Sequence, residues 1–309
     1  MKAIICTKYG GPEVLKLADV PKPTISDNQV LVKTMASAVN SGDVRTRGLV
    51  VPGFLRIVMR LVLGFTKPRK PILGVVLSGV IESVGSKVTK WKVGDEVFVM
   101  TGFKFGGHAQ YVALKENNTI ALKPKNASFN EAAAIVFGGA TAVYFLEAAG
   151  ITQKPKPNVL IYGATGAVGT AAIQIAKSHN ASVTAVCGET GVDLVQSLGA
   201  DVVLVYTKDD FTKLPSKFDI VFDAVGKTTK KQCKHLLREG GVYKTVGGLE
   251  TAADNVAQLH YLRELYEAGR YKPVIDRTYP LEEMIAAHTY VDGGTKKGNV
   301  VIEVAHAAS

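Results

Sequence analysis

The stretch NVLIYGATGAVGTAAIQIAK, Asn158 to Lys177, decides the fold: an apolar run, a turn of small residues, then apolar positions at helical spacing. It predicts a strand, a tight turn and a helix. Within the turn, Ala164, Gly166 and Gly169 occupy a GxGxxG frame with alanine in its first place. That frame lets a dinucleotide pyrophosphate approach backbone amides at a helix N-terminus. The candidate cofactor contacts are therefore the whole turn: Ala164, Thr165, Gly166, Ala167, Val168 and Gly169. Alone, such a frame is a weak signal. The context strengthens it, because SVTAVC (Ser182 to Cys187), DVVLV (Asp201 to Val205), DIVFDAVG (Asp219 to Gly226) and GGVYKTVGG (Gly240 to Gly248) are apolar runs separated by helical segments. That alternation predicts an α/β domain with a doubly wound parallel sheet.

Upstream, residues 1 to 127 carry the short runs KAIIC, VLKLADV, QVLVKTMASAV, ILGVVLSGVIESVG, DEVFVM and AQYVAL, cut by Pro, Gly, Asp and Asn. They predict a β-dominated domain. The Ala-rich segment EAAAIVFGGATAVYFLEAAG is expected to form two helical pieces interrupted at Gly138 and Gly139. Downstream, HYLRELYEAGRYKPVID predicts a helix closed near Gly269, and GNVVIEV (Gly298 to Val304) a late strand. A strand beyond the last Rossmann helix is expected to return to the first domain. That domain is then discontinuous, 1–127 with 275–309, around a dinucleotide-binding domain at 128–274, with substrate expected in the cleft between them.

At 309 residues, 47% apolar and 21% charged, the chain has material for two cores. Cys6, Cys187 and Cys233 lie far apart with no CxxC, which points to a reducing, cytoplasmic setting. The start, MKAIICTKYGG, enters strand-like alternation directly, so no export signal is expected. The net charge of +10 comes from 37 Lys and Arg against 27 acids, and the basic residues are scattered. A positive field suits a phosphorylated dinucleotide. Without a recognition helix or an aromatic-basic platform, nucleic-acid binding is not expected. One insertion stands apart: Pro52 to Lys70, PGFLRIVMRLVLGFTKPRK, sets Arg56 and Arg60 four apart on an apolar helical stretch. It is too short and too charged to span a bilayer. Two readings stay open, a membrane-surface helix and an apolar flap beside the cleft.

Taken together, VNSGDVRTRG (Val39 to Gly48), ILGVVLSGVIESVGSKVTKWKVGDEVF (Ile72 to Phe98), GGHAQYV (Gly106 to Val112), GATGAVG, LGAD (Leu198 to Asp201), FDAVG and KPVIDRTYPLEEMIAAH resemble the medium-chain dehydrogenase/reductase superfamily. Within it they are similar to the zinc-free quinone oxidoreductase branch. The resemblance runs over nearly the whole chain. It implies a GroES-like β-barrel domain beside the Rossmann domain, and NAD(P)H-dependent reduction of small-molecule quinones or α,β-unsaturated carbonyls.

A catalytic zinc site needs three ligands from Cys, His and carboxylate. Zinc-dependent relatives supply Cys where this chain has Asn40, and Gly-His-Glu where it has Gly74, Val75 and Val76, so no zinc is expected. At the end of the second Rossmann strand, where an acid would hold the ribose diol, stand Cys187 and Gly188. That favours NADPH, while Glu189 nearby leaves NADH open. By resemblance, Lys177 meets the 2′-phosphate, Tyr206 lies near the adenosine, and Thr141 contacts the carboxamide. Ala224, Val225, Gly247 and Gly248 pass the nicotinamide ribose, and Asn40 faces nicotinamide and substrate as the catalytic contact. Asp43 is read as a hydrogen-bonding partner of its loop. Also by resemblance, the chain between Gly248 and Leu262 is shorter than the family pattern by roughly two dozen residues, which removes the edge strand through which relatives form homodimers. The homodimer is therefore not carried over. A rival reading is a non-catalytic NADPH-binding interaction or sensor protein on a membrane surface.

Overall fold

The computed structural model describes residues 1–50, 53, 55–215, 217–248, 250–253 and 255–306. Pro52 and Phe54 of the apolar insertion lie outside the described residues. In chain order the first elements are β1 (Lys2–Cys6), β2 (Leu15–Asp19), β3 (Gln29–Val39), α1 (Ser41–Gly48), α2 (Leu55–Leu63), β4 (Val76–Val84), β5 (Glu96–Met100), β6 (Tyr111–Lys115) and β7 (Thr119–Leu122). Next come α3 (Phe129–Ala148), β8 (Asn158–Tyr162), α4 (Ala167–Ser178), β9 (Ser182–Cys187), α5 (Val192–Ser197), β10 (Val202–Val205), β11 (Phe218–Asp223), α6 (Lys230–Cys233), β12 (Leu237–Thr245) and α7 (Val256–Glu267). The chain closes with β13 (Ile275–Pro280), α8 (Met284–Asp292) and β14 (Asn299–Glu303).

Two compact units result, Met1–Val136 with Ile275–Ser309, and Phe137–Val274. The first is built on a seven-stranded sheet in the order β13-β14-β3-β4-β5-β7, with β6 also paired to β3. The late strand β14 runs antiparallel to β3, setting Val300 opposite Val39 and Ile302 opposite Ser37. Alternation along the strands sends Val30, Val32, Leu77, Ile81, Val97 and Val99 into one apolar cluster.

The second unit holds five parallel strands in the order β10-β9-β8-β11-β12. In chain order within the unit, that is third, second, first, fourth, fifth. The winding direction reverses between β8 and β11, and an open α/β sheet presents its ligand crevice outside the carboxyl ends at such a reversal. Helix α4 is buried from Ala167 through Ala176. Its small residues, Ala171, Ala172 and Ala176, allow that close approach.

The segment expected as two helical pieces is one continuous helix, α3, of 20 residues. A Cβ on Gly138 would stand 2.4 Å from the Ala167 carbonyl oxygen, and one on Gly139 would stand 2.8 Å from Leu262 Cδ2. The glycines admit neighbouring elements; they do not break the helix. The expected boundary at 127/128 also moves into α3. Ala133 and Ala134 pack with Ala36 and Val301 of the first unit, whereas Gly138 and Gly139 abut the second. Among the described residues α3 alone is long and apolar enough to cross a membrane, but 72% of that window is buried, as in a core helix.

Candidate active site

Most of the second unit's candidate residues collect at one edge of its sheet. Tyr162, Val186, Asp223 and Thr245, near the carboxyl ends of β8, β9, β11 and β12, are linked by register, Tyr162 opposite both Val186 and Asp223, and Asp223 opposite Thr245. The turn Ala164–Gly169, Cys187 and Gly188, Tyr206, Ala224 and Val225, and Gly247 and Gly248 are at or just beyond those ends.

The three places of the glycine frame have different surroundings. Ala164 is fully buried. Gly166 is the N-cap of α4 (φ −73°, ψ 173°), and no side chain caps the first turn. A Cβ built there would meet only Gly163 O, at an ordinary contact distance of 3.8 Å, so nothing crowds this position. At Gly169 a Cβ would stand 2.3 Å from Gly163 O and 2.7 Å from the Ala164 backbone. The middle position thus leaves a cradle for an anion at the positive end of a helix, and the last permits the helix to touch the strand turn. These residues fit a dinucleotide pyrophosphate.

The loop after β11 is pinned by Asp223, which the sequence reading passed over. Its Oδ1 accepts from the amides of Val225 (3.1 Å) and Gly226 (2.8 Å), and its Oδ2 from the amide (2.6 Å) and hydroxyl (2.8 Å) of Thr228. An aspartate ending a strand before Ala-Val-Gly-x-Thr is a signature of side-chain capping of a turn. Gly226 (φ +74°) then meets Gly247 so closely that a Cβ would fall 2.7 Å from its Cα. Val225 covers Gly163, whose φ is +76° and whose Cβ would lie 2.5 Å from Val225 Cγ1. Thr141, nearly buried, sits one turn along α3 from Gly138, the residue against the start of α4.

Lys177 requires a correction. It ends α4, eleven residues past Gly166, or about 16 Å of helix rise. There its ammonium binds both oxygens of Asp201, each at 2.9 Å, and Asp201 accepts from the Val183 amide at the start of β9. This is the amino edge of the sheet, opposite the end that carries the glycine turn, so Lys177 is held in an ion pair away from that turn. At the carboxyl edge a different cation, Lys208, pairs with Glu189, the residue after Gly188, its ammonium 3.3 Å from Oε1. Tyr206, exposed, reaches within 3.2 Å of where a Gly188 Cβ would be.

In the first unit, Asn40 is the N-cap of α1. Its Oδ1 accepts from the amides of Gly42 (2.8 Å) and Asp43 (3.3 Å), and Asp43 Oδ2 accepts from the Asn40 amide (3.1 Å), completing a capping box. With Oδ1 so engaged, the amide orientation is fixed by the network. Nδ2 is left as a buried donor with no partner among the described residues. Asp43 is fully buried, and burial pushes its carboxyl up to about 7, against the opposing pull of the Asn40, Gly74 and Val75 amides.

A catalytic zinc ion does not fit this donor set. Asn40 Oδ1 is committed to the cap, and Val75 and Val76 carry no donor atoms. Among the described residues no three His, Cys, Asp or Glu side chains gather closely enough to hold a metal. His108 is buried, its ring 5.9 Å from that of His288, and burial pushes it down to about 4. Arg47 donates to His288 Nδ1 at 2.9 Å and to Asp292 at 2.5 Å, tying α1 to α8.

The model of the alcohol dehydrogenase GroES-like domain matches residues 26–156, and that of the zinc-binding dehydrogenase matches residues 198–302. The 2-methylene-furan-3-one reductase of Solanum lycopersicum is 37% identical over 325 residues, covering 98% of this chain and 79% of that protein. The chloroplastic NADPH-dependent alkenal/one oxidoreductase of Arabidopsis thaliana is 33% identical, with the same coverage. Among solved structures, the quinone oxidoreductase from Coxiella burnetii superposes with a TM-score of 0.86 at 29% identity, over 99% of both chains.

Proposed function

The chain belongs to the zinc-type alcohol dehydrogenase-like, medium-chain dehydrogenase/reductase superfamily, in its quinone oxidoreductase branch, and from that premise we propose that it reduces quinones or α,β-unsaturated carbonyls with NADPH. The observation that carries this reading is the uncrowded, uncapped start of α4 at Gly166, at the carboxyl edge of one parallel sheet.

When bound, NADPH supplies a hydride to an electron-poor carbon. The amides opening α4 would hold the pyrophosphate, with no side chain at Gly166 to crowd it. Asp223 fixes the loop bearing Ala224 and Val225, so that Gly226 and Gly247 form a narrow seat for the nicotinamide ribose, and Thr141 meets the carboxamide. Lys208, paired with Glu189, would supply positive charge toward a 2′-phosphate, and Tyr206, against Gly188, would lie near the adenosine. The Nδ2 of Asn40, without a partner among the described residues, would serve as the donor to a substrate carbonyl oxygen, where a hydride acceptor gathers negative charge. Because conjugation already spreads that charge, one aligned donor serves without a metal ion, and solvent water protonates the resulting enolate. The three dispersed, buried cysteines agree with a reducing compartment.

The test is loss of NADPH absorbance on adding a quinone or an enone to purified protein. Turnover with either class is expected. Tight NADPH binding with no turnover of either would overturn the reaction.

A further inference from the structure

Helix α2 has three distinct faces. Met59 and Leu63 turn inward onto the core of the first unit, and the Tyr9 hydroxyl donates to Gly64 O at 2.9 Å, anchoring the end of the helix. Arg56 and Arg60 form one flank at i, i+4 spacing. Roughly opposite the inward pair, Ile57, Val58, Leu61 and Val62, followed by Phe65, expose 46–66% of their surface. Six of the fifteen exposed large apolar side chains among the described residues fall between Val50 and Phe65. Single exposed apolar residues are ordinary, whereas a contiguous stripe marks an interaction surface.

The charge around the stripe has one sign. From Val44 to Ile81 the sequence holds seven Arg and Lys and no Asp or Glu. Arg47 is committed to Asp292. Among the described residues, no ion pair engages Arg56, Arg60, Lys67, Arg69 or Lys70. Arg56 and Arg60 border an open depression of about 290 Å³ with Gly53 and Ile57. The exposed Phe103 is bridged to this region by Lys70, whose ammonium lies 3.5 Å from its carbonyl oxygen.

We propose that α2 docks this protein on an anionic lipid surface, with the aliphatic stripe among the upper acyl chains and the flanking cations at the headgroup phosphates. A complementary partner must be apolar and anionic over the same footprint, which describes a bilayer interface. A second copy would set these unpaired cations against their own kind. The inference does not rest on the reaction proposed above.

The full chain is sedimented with phosphatidylcholine vesicles and with vesicles containing phosphatidylglycerol. Binding to the second alone is expected, lost at high salt as the screening length shortens to about 3 Å near 1 M. Lys67→Gln with Arg69→Gln should weaken it about 25-fold, at about five-fold per cation. Ile57→Ser with Leu61→Ser should weaken it about tenfold or more. All four side chains are exposed, so the variants should fold, with parent-like circular dichroism as the control. No binding to anionic vesicles at low salt overturns the proposal. So does binding that both double variants leave unchanged, or a dimer that Leu61→Ser dissociates while vesicles are ignored. If vesicles bind but neither quinone nor enone is reduced, only the reaction falls.

Discussion

Adding one methyl group at either of two glycines three residues apart should have opposite consequences. At Gly169 a Cβ would press to 2.3 Å on the Gly163 carbonyl oxygen and 2.7 Å on the Ala164 backbone, and neither is the end of a flexible side chain. Helix α4 must retreat from the turn, an overpacking cost of about 1–3 kcal/mol, occasionally more. Alanine's better helix propensity returns at most about 1 kcal/mol. Gly169→Ala should therefore lose about 2 kcal/mol, or about 4–8 °C in Tm. At Gly166 the backbone is extended at φ −73° and no atom lies within 3.4 Å of the new Cβ. Gly166→Ala should keep or slightly raise stability, by about 0.4–1 kcal/mol, since it restricts the unfolded chain. The same methyl group stands in the space that the pyrophosphate needs. A steric conflict of about 1–3 kcal/mol there weakens NADPH binding about 5–150-fold. Thermal unfolding followed by circular dichroism, together with NADPH titration calorimetry, reads both effects. A destabilised Gly166→Ala that binds NADPH normally would refute the assignment of the turn.

Three further outcomes follow from the same geometry. Asn40→Ser keeps an N-cap acceptor but withdraws the amide donor, so kcat should fall about 100-fold with NADPH affinity nearly unchanged, whereas Asn40→Ala also costs about 1 kcal/mol of stability; unchanged turnover of the serine variant would remove Asn40 from the reaction. Burial raises the Asp43 carboxyl from 3.8 to about 7, so the native state holds a proton there that the unfolded chain has released, and stability falls as pH rises through that window. Denaturant titrations at several pH values should show the slope in the parent and its loss in Asp43→Asn; parallel slopes would contradict the buried, protonated carboxyl. All three cysteines are buried, and burial pushes the Cys6 thiol up to about 11 and also raises Cys233. Ellman's reagent should find no thiol in the folded protein and three after unfolding, and rapid reaction of the native protein would count against this packing.

Much of the second unit was legible because its signals are local. Apolar runs between turn residues marked β8 to β12, and the glycine frame marked the start of α4. The late strand was legible from its position beyond the last helix, and it pairs with β3. The continuity of α3 was not legible, because Gly138 and Gly139 read as breakers until Ala167 and Leu262 are seen pressed against them. Lys177 was misplaced for a geometric reason that the sequence already contained: eleven residues of helix carry a side chain from one edge of the sheet to the other. Lys208 could not be found by motif, since its closeness to Glu189 comes from the pairing of β10 with β9. Asn40 and Asp43 do carry a local signature, Asn-x-x-Asp at a helix start, which explains why Oδ1 is committed and Nδ2 is free.

The central claim is hydride delivery to a conjugated carbonyl without a metal ion. Its most direct measurement is stopped-flow oxidation of NADPH by protein dialysed against a strong chelator and assayed for metal content, with one quinone and one enone as acceptors. The account predicts an undiminished rate with at least one acceptor, and deuterium passing from labelled NADPH to the enone's β-carbon. A rate that vanishes on chelation and returns with stoichiometric zinc would contradict it.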